Sequence, residues 1–338
     1  MLNNNYIIYR LKSEDSFAHL AHKFNLSEDD LISFHNQNCN NNSQIYFKDI
    51  SGLNEIYIPI NYKTSEEIEK LLLSERPNSV LDSDFYKEKY KIYEIVTNDN
   101  ESTDLDYDLS LVFGKIDNEN VVTIHRDQLN KKGKQLSNKM QELALWSSQS
   151  LFPISFLLDQ KNTPIKIKDY DSLKNAFQQN RTKIEDFYKG NFVQNYLDLF
   201  YDQLSNEQKI CQKIISSALF KSLFPNIELF RKTTSFCISF PILSIQKPVL
   251  FSCEVTYDHQ EENVVYTIIK GKSIENELLK DTISEHDSQH NTILNSMKSE
   301  LLLVYITDKK DKKLQKCKLA LKTYHHGAVY SSYQLIIE

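Results

Sequence analysis

The chain reads as an α+β protein: a small strand–helix–helix–strand unit, then a larger domain with an antiparallel sheet and inserted helices. Three observations carry this reading. The apolar period along the chain runs from two, to 3.6, and back to two, and strands followed by helices followed by strands is the order of an α+β layered fold. The first sixty residues hold a complete set of element signals of their own. The length of 338 residues, with 40% hydrophobic and 11% aromatic residues, supplies more than one core, because single cores split beyond roughly 250–300 residues. The expected organisation is a small unit over 1–62, a short helix and linker over 63–85, and an α+β domain over 86–338, with a further boundary near 230 left open.

In the first unit, Tyr6-Ile7-Ile8-Tyr9-Arg10-Leu11 is β-branched and aromatic and suits a strand. Ser13 to Ser16 supply turn and N-cap side chains, after which Phe17, Leu20, Ala21 and Phe24 recur on one helical face. Asn25 suits a left-handed helix stop. Ser27 with Asp30 begins a second helix, with Leu31 and Phe34 facing inward. A polar loop leads to Ile56-Tyr57-Ile58, and Pro59 ends that strand.

This order, with Tyr9-Arg10-Leu11-Lys12-Ser13-Glu14-Asp15-Ser16-Phe17, Leu20-Ala21, Phe24, Leu31, Asn36 and Ile56-Tyr57-Ile58-Pro59, resembles a lysin motif (LysM) module. The resemblance implies two helices on a two-stranded sheet. It also implies a shallow groove for N-acetylglucosamine-containing glycans of the peptidoglycan or chitin type, between the first strand–helix turn and the loop before the last strand. Carried over by motif position, the groove residues are Asp15, Ser16, Phe17, Asn54 and Ile56. Two positions depart from the family pattern: Glu14 and Asn54 stand where glycines are usual. If the first turn needs positive φ, a glutamate there is strained, so the turn is expected to have changed shape. Asn38, Asn40, Asn41 and Asn42 in the second loop offer amide partners for acetamido groups, and are equally the ordinary content of a solvated loop.

Beyond the module, Ser65 to Leu73 reads as a helix and Ser74 to Asp84, with Arg76-Pro77-Asn78-Ser79, as a linker. Alternating runs at 90–96, 107–113 and 121–124 predict a meander with a hairpin tip at Asp117–Asn120. From Lys134 the period is helical through Trp146; Ile154–Leu158 with Ile165–Ile167 is a hairpin, and 171–189 and 192–224 are helical again. Six strands follow between Ser235 and Ile337, interrupted by a polar stretch, 272–299, with short helix signals at 275–279 and 292–297. The shape resembles the curved sheets of lipoprotein-carrier or START-like proteins.

Composition excludes several functions. The net charge of −6, with basic and acidic residues interspersed, leaves no basic face for a phosphate backbone. No run approaches the ~18 apolar residues of a membrane span, and Met1-Leu2-Asn3-Asn4-Asn5 is not an export signal, so a cytoplasmic location is expected, with non-classical export as the alternative. Five cysteines without CxxC spacing argue against a zinc site or disulfide framework. His286 with His290 has i, i+4 spacing but lacks the glutamate of a metalloprotease helix, and His325-His326-Gly327 reads as a hairpin turn. Asp104, Asp106 and Asp108 lack the glycine and glutamate of a calcium loop and read as a charged strand edge. Glu185-Asp186 near Tyr188 are the carboxylates a wall hydrolase would need, on what reads as a helix end. No nucleophile, phosphate-loop or dinucleotide motif is present, and no cofactor or metal is expected.

The expectation is therefore a non-catalytic binding or adaptor protein. Its module docks on a peptidoglycan-type glycan or on a protein assembly, such as the contractile type VI-like or phage-tail-like machines in which cytoplasmic LysM modules occur. The alternatives are a peptidoglycan-active enzyme with paired carboxylates in a groove, and a carrier with an apolar pocket.

Overall fold

The β-branched run at the start forms strand β1 (Tyr6–Arg10), which pairs antiparallel with β2 (Glu55–Pro59), Tyr9 lying opposite Ile56. Between them lie helices α1 (Phe17–Lys23) and α2 (Glu28–Asn38), capped by Ser16 and Ser27, whose hydroxyls accept from the backbone N–H groups of His19 and Asp30. Asn25, at φ 50°, is the left-handed stop between them. Phe17, Leu20, Ala21, Phe24, Leu31, Ile45, Ile56 and Ile58 form the small core. The computed structural model describes residues 6–59, 65–78, 81–98, 101–127, 130–131, 139–232, 234–242, 248–274, 297–325 and 327–338. The chain divides into two compact units, Met1–Ser74 and Glu75–Glu338. Helix α3 (Ser65–Glu75) ends at this boundary.

The second unit opens with β3 (Lys89–Asn98), β4 (Glu101–Ile116), β5 (Glu119–Arg126) and the short β6 (Asn130–Lys131). Then come α4 (Lys139–Gln149), β7 (Ile154–Leu158), β8 (Pro164–Ile167), α5 (Tyr170–Phe187), α6 (Asn191–Leu204), α7 (Glu207–Ile215) and α8 (Ala218–Leu223). It closes with β9 (Phe236–Phe240), β10 (Val249–Asp258), β11 (Val264–Ser273), β12 (Met297–Asp308), β13 (Leu314–His325) and β14 (Ala328–Ile337). All of its strands join one antiparallel sheet in the order β8-β7-β5-β4-β3-β14-β13-β12-β11-β10-β9, with β6 against β4. Two meanders are thus joined where β14 pairs with β3, Ile337 opposite Ile92 and Ser331 opposite Asn98. The turn after β4 has Asp117 and Asn118 both at positive φ, as a two-residue hairpin of matching twist requires.

One face of the sheet is apolar and covered. Ile92, Tyr107, Leu109, Leu303, Leu319, Leu335 and Ile337 are buried on it, while Val112 and Leu302, of opposite parity, are exposed. The helical insertion lies on the covered face, and the α8 segment packs on both meanders. Phe220 meets Phe156 of β7 at 5.2 Å, and Phe230 meets Tyr305 of β12 at 5.3 Å. One core therefore spans residues on both sides of 230, and the sheet is continuous across that point.

Three expectations are corrected. The segment from Glu75 belongs to the second unit and is packed rather than a free linker: Pro77, Leu81, Phe85 and Tyr86 are buried, and Arg76 stacks 3.5 Å from the Tyr257 ring centroid. The charged-edge reading of Asp104, Asp106 and Asp108 holds only in part: all three pair with β3 on one side, and on the other Asp106 faces Asn130 of β6 and Asp108 C=O accepts from Asp127 N–H, while β5 begins its pairing at Leu109. The Asp108 carboxylate meets Lys89 at 2.6 Å. In α2 the buried partner of Leu31 is His35, and Phe34 is only half-buried. The helix signals at 275–279 and 292–297 and the His286/His290 pair lie outside the described residues, apart from Met297, which begins β12.

Candidate functional site

The groove residues carried over from the LysM resemblance sit where the first turn meets the loop before β2, joined by a hydrogen bond from Leu11 N–H to Asn54 C=O at 3.0 Å. Their side chains do not all face outward. Phe17 and Ile56 are buried in the small core, so any share they take in a groove is through backbone. Asp15 is spent on the turn: its carboxylate accepts from Lys12 N–H at 2.8 Å, while its own N–H reaches Lys12 C=O at 3.1 Å. That closure explains how Glu14 replaces a glycine, since Glu14 is not among the positive-φ residues. Ser16 caps α1. Ser16 and Asn54 remain exposed.

The loop between α2 and β2 carries a feature that sequence reasoning missed. His35 Nε2 donates to Ser43 C=O at 2.7 Å, and the Asn36 amide exchanges two 2.8 Å hydrogen bonds with the N–H and C=O of Ile45. Beyond the tip, Lys48 turns through φ 55° and its ammonium meets Glu28 at 2.7 Å, after which Ile50 rests against the core. Held on both sides, Tyr46 and Phe47 project into solvent, 71% and 91% exposed. An aromatic pair inside an Asn- and Ser-rich loop was the available signal.

In the second unit, the covered face of the sheet borders a cavity of 710 Å3 whose lining is mostly apolar. Four polar side chains from neighbouring strands meet in it: Arg126 (β5), Tyr107 (β4), Glu94 (β3) and Tyr333 (β14). The register explains their convergence. Tyr107 is opposite Ile92 and Tyr333 is opposite Val96, so Glu94 lies two residues from each contact, on the same face. Its carboxylate accepts from Tyr107 Oη at 2.5 Å and from Tyr333 Oη at 2.7 Å. Burial, reinforced by the Glu94 charge, drives both phenol pKa values well above their ordinary range, so both remain donors.

Arg126 closes the other end of this row. Nε donates to Gln149 Oε1 and an Nη to Ser148 Oγ, each at 3.1 Å, and the guanidinium lies 4.3 Å from the Phe152 ring centroid. Burial lowers its pKa, with the neighbouring Tyr107 and Glu94 partly offsetting that effect. In the strand pattern Tyr90, Ile92, Glu94, Val96, a carboxylate interrupts an apolar inward row, which marks position 94 from sequence alone.

The other candidates resolve into structural roles. Glu185 pairs with Arg181 at 2.7 Å, Asp186 faces Lys189 at 3.4 Å, and Tyr188 donates to Glu142 at 2.8 Å, so the two carboxylates do not share a site. His325 ends β13 and Gly327, at φ 82°, turns the hairpin. No group of three metal-ligating side chains occurs among the described residues. Among those residues, no helix is long and apolar enough to cross a membrane. No family model matches the chain, and a search of curated proteins finds no match.

Proposed function

We propose that the protein is a non-catalytic binding protein whose first unit is a LysM-type module docking on a peptidoglycan-type glycan or on a protein assembly, such as a contractile injection apparatus. The observation that carries this is the Tyr46–Phe47 tip. Burying aromatic surface drives association, and a pinned loop gives up little conformational entropy on contact. Ser16 and Asn54, at the first turn and at the end of the same loop, supply further exposed polar groups on the module. The paired-carboxylate enzyme gains nothing from the positions of Glu185 and Asp186. The carrier alternative is favoured for the second unit by the cavity at Arg126.

The test is retention of the full chain on insoluble peptidoglycan and, in parallel, capture of a defined complex from native lysate, each repeated with Tyr46→Ser/Phe47→Ser. Because exposed side chains are replaced, the variant should fold and melt as the parent does, yet lose at least tenfold in retention on whichever partner binds. Equal retention of parent and variant on both would overturn the reading.

A further inference from the structure

The cavity at Arg126 has a chemical asymmetry that identifies a class of ligand. Three charged side chains line it. Lys213 is exposed and its ammonium donates to Gln203 Oε1 at 2.8 Å. Of the opposite pair on the sheet, Glu94 is fully engaged, each carboxylate oxygen taking a tyrosine hydroxyl. Arg126 is not so engaged. Its hydrogen bonds run to the neutral oxygens of Gln149 and Ser148, and no carboxylate of the described residues lies within ion-pair distance of it. A guanidinium carries five N–H donors in a planar fork suited to a carboxylate or phosphate, and the half-buried Arg126 guanidinium has donors left over for such a partner. The surroundings are apolar: Leu151, Phe152, Phe200, Leu204 and Leu219 line the same space. At 710 Å3 it lies within the range of about 300–1,000 Å3 that takes small ligands.

We propose that this cavity binds a single-chain anionic amphiphile, its carboxylate-type head on Arg126 and its hydrocarbon tail among the apolar side chains of the sheet and helices. This inference rests on reading the second unit as a carrier or ligand-binding domain and is independent of what the first unit docks on. Glu94 has a definite part in it. It lies near enough to act on Arg126 electrostatically, so it opposes an incoming anion, and its two oxygens are taken by the tyrosine hydroxyls. No covalent step is involved.

The experiment is calorimetric titration of the full chain, below the critical micelle concentration, with dodecanoate, 1-dodecanol and dodecyltrimethylammonium. Dodecanoate should bind one to one, at least tenfold more tightly than either of the others. Arg126→Met should remove that preference and Arg126→Lys should keep most of it. Glu94→Gln should tighten dodecanoate binding severalfold, a gain that a purely structural role for Glu94 does not produce. Ala218→Trp, which places bulk into the lining without touching a charge, should abolish binding while circular dichroism stays that of the parent. Equal binding of dodecanol and dodecanoate would overturn the anionic head while leaving the carrier reading in place. Failure of all three probes would overturn both.

Discussion

His35 is fully buried and both of its ring nitrogens are used: Tyr57 N–H donates to Nδ1 at 3.1 Å, which leaves the proton on Nε2 for Ser43 C=O. The residue therefore ties α2 to β2 and to the start of the Tyr46–Phe47 loop. Replacing it with leucine keeps the volume but orphans a half-buried N–H on Tyr57 and a half-buried C=O on Ser43. His35→Leu should cost roughly 2–4 kcal/mol, read in thermal unfolding as a lower first-unit transition with the large unit unmoved. It should also weaken any partner binding that depends on the tip. Periodicity could not have named this residue, because i, i+3 and i, i+4 spacings from Leu31 are both helical and the choice between Phe34 and His35 was made by partners in a distant loop. Glu14 has the same lesson. Its strain was inferred from a family glycine, and the Asp15 side chain removed it by closing the turn differently.

At the scale of elements, local signals were legible wherever the cause is local. The N-caps at Ser16 and Ser27 and the stop at Asn25 follow from residue type and appear as read, and the hairpin tip expected over Asp117–Asn120 narrows to Asp117–Asn118, with Glu119 and Asn120 already in β5. The segment after Ser74 has the composition of a loop, whereas what packs it are residues distant in sequence, several of them more than 150 positions away. Glu75 Oε2 meets His259 Nδ1 at 2.7 Å and Lys309 Nζ at 3.4 Å, and Arg231 donates to Pro77 C=O at 3.1 Å. Burial alone would raise the Glu75 pKa, but the His259 hydrogen bond and the Lys309 charge outweigh it and leave it lowered from 4.5. A lowered folded value means stabilisation that is complete above the ordinary carboxylate range and is lost as pH falls through the lowered value. Glu75→Gln should therefore depress the large unit's Tm at neutral pH, with the two melting curves converging in acid. A constant Tm difference at all pH values would assign the residue a packing role instead.

For the whole molecule, the decisive pairing joins opposite ends of the second unit, β3 near its start and β14 at its finish. No periodicity can announce a pairing of strands some 240 residues apart. The alternation of β14 predicts that one face is buried, but not that its neighbour is β3 rather than a strand of a separate domain. That is why a boundary near 230 stayed open from sequence. The same pairing assembles the candidate cavity, since Glu94 and Tyr333 face each other across it. If the pairing unites two meanders into one cooperative sheet, weakening it must be felt on both sides. Leu335 is fully buried on β14, opposite Glu94 of β3 and Leu319 of β13. Leu335→Ala should cost about 2–5 kcal/mol, and amide exchange measured on the full chain should quicken by comparable factors at Ile124 in β5 and at Phe251 in β10. Both strands lie away from the substitution on opposite flanks of the sheet, so a sheet that unfolds as one unit must lose protection at both. Faster exchange confined to β12, β13 and β14 would instead mean that the meanders fold independently and that the β3–β14 contact is a docking of two finished halves.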